Sequence, residues 1–235
     1  MQKNEQQGCW TKHRFKLSQK GFTLIEILVA LFLVTLVVGL FAGNPFSTRD
    51  NLERDIFNLE RALRYAKDES SLRNAIVRLR VNLEYPQSYI LEYGPDDNFV
   101  LPPEVFGSDV AVEYRAEIEF REELLEEIDR KFHRVSAFSQ GEKPFLQGVT
   151  VIGAGTHMGR ELITENQFAI HVYPTGEMDS GVIILASDDE IGALSFEAFL
   201  DDFEIEYIPI NPDARGELID VQFDLAQRVF NEWLR

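Results

Sequence analysis

The chain has 235 residues, of which 45% are hydrophobic, and a formal net charge of −17 at pH 7. This length and hydrophobic content predict one packed domain rather than a disordered chain. The acidic excess argues against a nucleic-acid-binding surface, which would cluster Lys and Arg on one face. The single cysteine, Cys9, lies near the start, which excludes a disulfide framework or a cysteine-based metal site in the rest of the chain.

The charge is distributed unevenly along the chain. Before Phe22 there is one acidic residue, Glu5, and there are five basic residues: Lys3, Lys12, Arg14, Lys16 and Lys20. The rest of the chain therefore carries all of the acidic excess. A basic start and an acidic body predict that the two parts face different environments.

Residues 22–43 form an apolar run that contains one charge, Glu26. A helix rises about 1.5 Å per residue, so this run would span roughly the 30 Å hydrocarbon core of a bilayer. The preceding basic residues predict a cytoplasmic amino terminus and a single membrane crossing, with the body on the far side. In a bacterium with two membranes, the crossing is of the inner membrane and the body lies in the periplasm. Ordinary secretion is the less favoured alternative, because the run is longer than a signal peptide and Asn44-Pro45 follows it.

Glu26 is unusual because a carboxylate inside an apolar membrane segment raises the insertion free energy by a few kcal/mol. Such a residue predicts a functional partner. The alternative is a structural one, in which the side chain reaches the headgroup region near the membrane edge.

The sequence KGFTLIEILVA (residues 20–30) resembles the processing site of type IV prepilins and pseudopilins. The resemblance implies that residues 1–21 are a cytoplasmic leader and that a prepilin peptidase cuts between Gly21 and Phe22. The same enzyme would methylate the new amino group of Phe22. Glu26 would be the fifth mature residue, and it would neutralise the amino terminus of a neighbouring subunit during assembly, because a charge pair is strong in a low dielectric.

The next segment predicts a helix followed by a hairpin. Residues 44–71 are expected to form the periplasmic half of the amino-terminal helix, with apolar residues at intervals of three and four: Leu52, Ile56, Leu59, Leu63 and Ala66. Alternation over residues 76–83, a break at Pro86 and a second run over residues 88–93 predict two paired strands.

Residues 72–210 are predicted to form a β-rich globular domain. Within it, residues 113–134 predict an acidic insertion with a surface helix around 119–134; a solvated face is the favoured interpretation and partner binding the alternative. Short apolar runs bounded by turn residues predict later strands over 149–152, 167–173, 181–187, 194–200 and 203–208.

Residues 211–235 predict a loop and an amphipathic helix. The apolar side of that helix is expected to contain Leu218, Val221, Leu225, Val229, Phe230 and Trp233. The predicted fold class is therefore α+β, a pilin-like fold in which a long amino-terminal helix, half of it transmembrane, packs on antiparallel β-sheet.

The segment from His171 through Pro174-Thr175-Gly176 to Leu185 resembles the late strand pair of H-type pseudopilins and related minor pilins. This resemblance implies a minor pseudopilin that joins other pseudopilins in a periplasmic filament and supports protein export by a type II secretion system. The alternative is a minor pilin of a type IV pilus, used for adhesion, twitching or DNA uptake. The acidic insertion and the carboxy-terminal helix depart from the H-type pattern.

No residue pattern favours catalysis or a bound cofactor. Gly153–Gly159 follows an apolar run, but it lacks the spacing of a dinucleotide fingerprint and predicts a hairpin loop. The histidines lack metal-ligand spacing, and the candidate calcium ligands Asn211, Asp213, Glu217 and Asp220 lack EF-hand order. We therefore expect no enzyme activity, metal, cofactor, small-molecule substrate or nucleic-acid partner; a membrane-tethered periplasmic enzyme is the remaining alternative.

Overall fold

The structure is a computed structural model. It describes residues 23–42, 48–95, 99, 101, 123–157, 159, 161–199, 202–211 and 216–235, with the side chains of residues 37–42 left undescribed. The described residues fall into two units. The first contains helix α1 (Leu24–Ala42), and the second contains every other described element. The predicted leader and the connection across Pro45 lie outside the described residues.

The second unit combines helices with short antiparallel strands. Its helices are α2 (Thr48–Arg73), α3 (residues 123–129) and α4 (Leu218–Trp233). Its strands are β1 (Val77–Asn82), β2 (Ser88–Tyr93), β3 (His133–Arg134), β4 (Lys143–Pro144), β5 (Thr150–Thr156), β6 (Gln167–Val172), β7 (Gly181–Ala186), β8 (Glu190–Phe196) and β9 (Phe203–Pro209).

The strands form two sheets in which every described pairing is antiparallel. The first sheet has the order β3-β2-β1-β6, with β4 also paired to β2, and the second has the order β5-β7-β8-β9. The hairpin predicted from sequence is confirmed as β1 and β2, with Val77 opposite Tyr93 and Asn82 opposite Ser88.

Helix α2 packs against both sheets and supplies the centre of the main core. Its predicted apolar stripe is confirmed, because each of the five residues is fully buried: Leu52, Ile56, Leu59, Leu63 and Ala66. Burial of each large apolar side chain contributes about 1.5–3 kcal/mol. The fold class is therefore α+β, with a helix packed on antiparallel sheets.

One carboxylate, Asp55, is buried on the packed side of α2. Its Oδ2 accepts a hydrogen bond of 2.7 Å from the backbone N–H of Leu146. Burial raises the pKa of Asp55, and this hydrogen bond opposes the rise. The contact ties the loop after β4 to the middle of α2.

Helix α4 covers the opposite face of the second sheet and forms a second, smaller core there. The apolar side predicted for α4 is partly wrong, because Leu218 is 42% exposed and polar Gln222 is buried. The reason is a specific contact: Gln222 Nε2 donates a hydrogen bond of 2.8 Å to the carbonyl of Ser187. The buried side of α4 consists of Gln222, Ala226, Val229 and Phe230.

The described end of the acidic segment is more than a solvated face. The described part of helix α3 covers residues 123–129, and the side chains of Glu126 and Glu127 are exposed as expected. Ile128 and Phe132, however, are buried in a third small core. Residues 113–122 of the predicted insertion lie outside the described residues.

The hairpin loop predicted at Gly153–Gly159 is partly confirmed: Ala154 forms an antiparallel bridge with Ile163, but the first glycines of the segment lie in a strand. Strand β5 continues through Gly153 and Gly155, with a register irregularity after Val151. Both glycines lie at close approaches, since a Cβ on Gly153 would meet Leu162 Cγ at 2.8 Å. Glycine is therefore required at these positions because neighbouring side chains pack against the strand, and not because the backbone turns there.

The turn at Pro174–Gly176 connects the two sheets rather than a strand pair. Strand β6, before the turn, pairs with β1 in the first sheet. Strand β7, after the turn, pairs with β5 and β8 in the second sheet. The turn itself closes a short antiparallel bridge between Val172 and Met178, but β6 and β7 do not pair with each other, so the resemblance does not correspond to a pair of adjacent strands. Strand β8 also begins at Glu190, earlier than the run predicted at 194–200.

Candidate functional site

The described side chains of α1 present an apolar surface in all directions. Every side chain from Thr23 to Leu36 is exposed, and the large apolar ones range from 46% exposed at Leu36 to 81% at Leu24. The exposure of a helix that is apolar on all sides to water is unfavourable, so such a helix is normally buried in lipid or in protein. This surface is therefore a candidate assembly or anchoring element.

Measured over the described residues alone, none of the helices has the length together with the apolar character that a bilayer crossing requires. The membrane anchor over residues 22–43 accordingly stays a prediction.

Thr23 caps the amino terminus of α1. The backbone N–H of Glu26 donates to the carbonyl of Thr23 at 3.0 Å and to its Oγ1 at 3.3 Å. The spacing Thr-x-x-Glu is that of a capping box, in which the glutamate would also bond back to the N–H of the capping residue. Sequence reasoning missed this cap, although the four-residue signal was present.

The carboxylate of Glu26 is available for a partner outside the described chain. It makes no hydrogen bond or ion pair with another described residue, including the Thr23 N–H of the capping box. The hydroxyl of Thr35, by contrast, is bonded within the helix, to the carbonyls of Leu31 and Phe32 at 3.0 and 2.9 Å. A carboxylate among apolar side chains that has no partner among the described residues requires a cation once water is excluded.

The predicted cleavage site cannot be placed beside this carboxylate. Gly21 and Phe22 lie outside the described residues. Cleavage between them and methylation of Phe22 therefore stay predictions from the sequence.

A buried polar cluster lies where β6 leaves the first sheet. His171 Nδ1 lies 2.9 Å from Asp179 Oδ2, and the backbone N–H of His171 donates to the same oxygen at 2.8 Å. The hydroxyl of Tyr173 donates to Asp179 Oδ1 at 3.1 Å. Burial, followed by the negative charge of Asp179, raises the pKa of Tyr173. The cluster holds in place the segment that connects β6 of the first sheet to β7 of the second sheet.

The described residues do not assemble a metal site. Within them, no group of three His, Cys, Asp or Glu side chains is arranged to hold an ion. Of the calcium candidates, Asn211, Glu217 and Asp220 are exposed, and Asp213 lies outside the described residues.

Residues 16–42 match the family model described as the prokaryotic N-terminal methylation motif. The matched range includes Gly21, Phe22 and Glu26, and it ends with α1 at Ala42. Comparison with curated proteins and with solved structures finds no match. The motif implies processing by a prepilin peptidase and assembly with other pilins, and it supports a type IV pilin-like filament subunit.

Proposed function

We propose that this chain is a minor pseudopilin of the H type, a subunit of the periplasmic filament of a type II secretion system. The observation that carries the proposal is the position of Glu26. Within the methylation motif of residues 16–42, Glu26 presents a carboxylate that has no partner among the described residues, on the exposed apolar surface of α1.

The proposed assembly step is electrostatic. Cleavage after Gly21 would release a positively charged amine on Phe22 at the membrane edge. That amine pairs with Glu26 of a neighbouring subunit, because an unpaired charge among apolar helices is strongly unfavourable. A head-to-tail contact of this kind does not close on itself and therefore generates a helical filament.

The proposed topology has residues 22–43 spanning the inner membrane, with the body in the periplasm. The basic residues before Phe22 favour this orientation. The body then acts as a structural module without catalytic activity. Its cores under α2 and α4 would hold the two sheets and these helices in fixed positions.

A deletion strain tests the proposal. Loss of extracellular proteins, restored by the wild-type chain, together with cross-linking to other pseudopilins through α1, is the expected result. Normal export combined with loss of twitching, adhesion or DNA uptake would instead identify a minor pilin of a type IV pilus. Normal behaviour in all of these assays would contradict both functions.

A further inference from the structure

An open groove of about 600 Å³ lies on the outer face of the second sheet, between α4 and the strands β8 and β9. We name it the α4–β9 groove. Its floor is apolar, with Val182, Ala193, Val229 and Trp233. Its rim carries three exposed carboxylates, Glu204, Glu206 and Glu232. None of the described residues that line it is basic.

The walls of the groove are held in place by contacts at both ends of α4. Near its carboxyl end, Phe230 occupies the space above Gly155. Near its amino end, Gln222 is hydrogen-bonded to the carbonyl of Ser187 at 2.8 Å. A preformed groove of this kind can bind a partner without the loss of conformational entropy that ordering a loop requires.

One side of the groove is β9, which is an edge strand among the described residues. The path of the second sheet ends at β9, whose seven residues pair with β8 and with no other described strand. The outer edge of such a strand presents backbone N–H and C=O groups that can pair with another chain. Addition of an extended segment to such an edge is a recurrent mode of peptide recognition.

The two faces of β9 differ in chemistry. Glu204 and Glu206 lie on the groove side. Phe203 and Tyr207 are half-buried on the opposite side, against the main core. Because side chains alternate along strands, a segment added to β9 would place every second residue beside the two carboxylates.

We infer that the α4–β9 groove binds an extended segment of a partner protein whose basic side chains alternate with apolar ones. The segment pairs with the edge of β9. On the groove face, its Lys or Arg side chains lie beside Glu204 and Glu206, which form the β9 rim of the groove, and meet these carboxylates with their charged ends. Its apolar side chains continue the surface of Phe203 and Tyr207.

Charge selects this partner over a second copy of the same chain. If β9 paired with β9, the Glu204 and Glu206 side chains of both copies would lie on one face. Like charges at neighbouring cross-strand positions are destabilising. The inference does not depend on the filament function, since it rests on α4 and β9 alone.

The test uses the full chain in a non-ionic detergent and three fluorescein-labelled peptides with capped ends. The first alternates Lys with Val and Ile (KVKIKV), the second has the same composition in blocks (KKKVIV), and the third is acidic (EVEIEV). Fluorescence anisotropy measures binding. We expect the alternating basic peptide to bind about tenfold more tightly than the block peptide, since only alternation satisfies both faces of β9.

Charge reversal provides the matched variants. Glu204→Lys with Glu206→Lys is expected to weaken binding of the alternating basic peptide by about tenfold and to create binding of the acidic peptide. That gain shows that the variant is folded. Glu161→Lys with Glu165→Lys makes the same change in net charge beside β5, at the other edge of the sheet, and is expected to leave binding unchanged.

Three results would overturn the inference. If the Glu161 and Glu165 variant lost as much binding as the Glu204 and Glu206 variant, overall charge and not the groove would explain the binding. If the block peptide bound as tightly as the alternating basic peptide, the peptide would not bind by pairing with β9 as a strand. A dimer that disappears on reversal of Glu204 and Glu206 would identify a second copy as the occupant.

Discussion

Phe230 of α4 packs directly against the backbone of Gly155 in β5. A Cβ at Gly155 would lie 2.3 Å from Cε2 of Phe230, closer than two carbon atoms can approach. The phenyl ring is itself fully buried. The glycine therefore allows the buried ring of Phe230 to lie against the backbone of β5, which holds α4 close to the second sheet.

Gly155→Ala is expected to destabilise the body by about 1–3 kcal/mol, because the added methyl group forces the ring of Phe230 to move. Thermal unfolding followed by tryptophan fluorescence measures the effect, since the ring of Trp233 lies 6.0 Å from that of Phe230. The control is Gly141→Ala, where the new Cβ has no atom within 4 Å. Equal stability of the two variants would contradict the assigned packing.

Arg78 organises the buried ion pairs between β1, β2 and the acidic segment. It is 4% exposed, its Nε lies 2.8 Å from Glu92, and its guanidinium group also contacts Asp129 and the ring of Phe132. Arg78→Ala is expected to lower the free energy of unfolding by about 1.5–3 kcal/mol, because Glu92 and Asp129 each lose a charged hydrogen-bond partner, although Glu92 keeps Arg80.

The matched control for Arg78 is Arg130→Ala, which removes an arginine from an exposed i,i+4 pair with Glu126. Little change is expected there, since exposed ion pairs contribute little. Chemical denaturation compares the two variants. If both lose the same stability, the network around Arg78 has no special role.

Glu69 makes a contribution to the stability of the fold that depends on pH. The hydroxyl of Tyr93 donates to it at 2.6 Å, and this bond, followed by that from Arg73, lowers the pKa of Glu69. A lowered carboxyl pKa stabilises the fold above the pKa of the unfolded chain, and the contribution is lost as pH falls through the folded pKa.

Tyr93→Phe is therefore expected to lower stability by about 1 kcal/mol at neutral pH. The difference from wild type should shrink as the solution is acidified below the unfolded pKa of Glu69. Tyr85→Phe is the control, because that side chain is 97% exposed. Melting temperatures measured from neutral to acidic pH test this, and a difference that grows on acidification would contradict the sign.

The elements that sequence predicted well depend on local patterns. The stripe from Leu52 to Ala66 and the alternation in β1 and β2 repeat within one element, so neighbouring residues reveal the buried side. Glu26 could also be singled out from sequence, since one charge in an apolar run is a local anomaly.

The elements that sequence predicted poorly depend on contacts between distant residues. Gly153 and Gly155 carry a loop signal, yet they lie in β5 because Leu162 and Phe230 occupy the space beside them. Gln222 faces inward because its amide reaches Ser187. No local pattern contains these partners, and the α4–β9 groove could not be predicted for the same reason.

Glu26→Val is expected to leave membrane insertion and cleavage intact and to impair incorporation into filaments. Insertion should improve because the charge is removed, whereas the amine of the neighbouring subunit loses its partner. Glu26→Asp, which keeps the charge, is the control. Cross-linking between subunits and the level of exported protein measure the outcome, and normal assembly of Glu26→Val would show that the amine-pairing account is wrong.

Processing depends on a small residue at position 21. Gly21→Ala is expected to be cut at a level close to wild type, whereas Gly21→Trp is expected to accumulate as the uncut chain. The two forms differ in mobility on a denaturing gel. Efficient cleavage of Gly21→Trp would argue against a peptidase site at this position.

The amino terminus of the mature protein tests the central claim most directly. Mass spectrometry of wild-type protein extracted from membranes should identify a first peptide that begins with N-methylated Phe22. This result would establish both cleavage after Gly21 and the modification that the matched motif implies. An unprocessed chain that still begins at Met1, or a mature chain that begins beyond Gly43, would contradict the account.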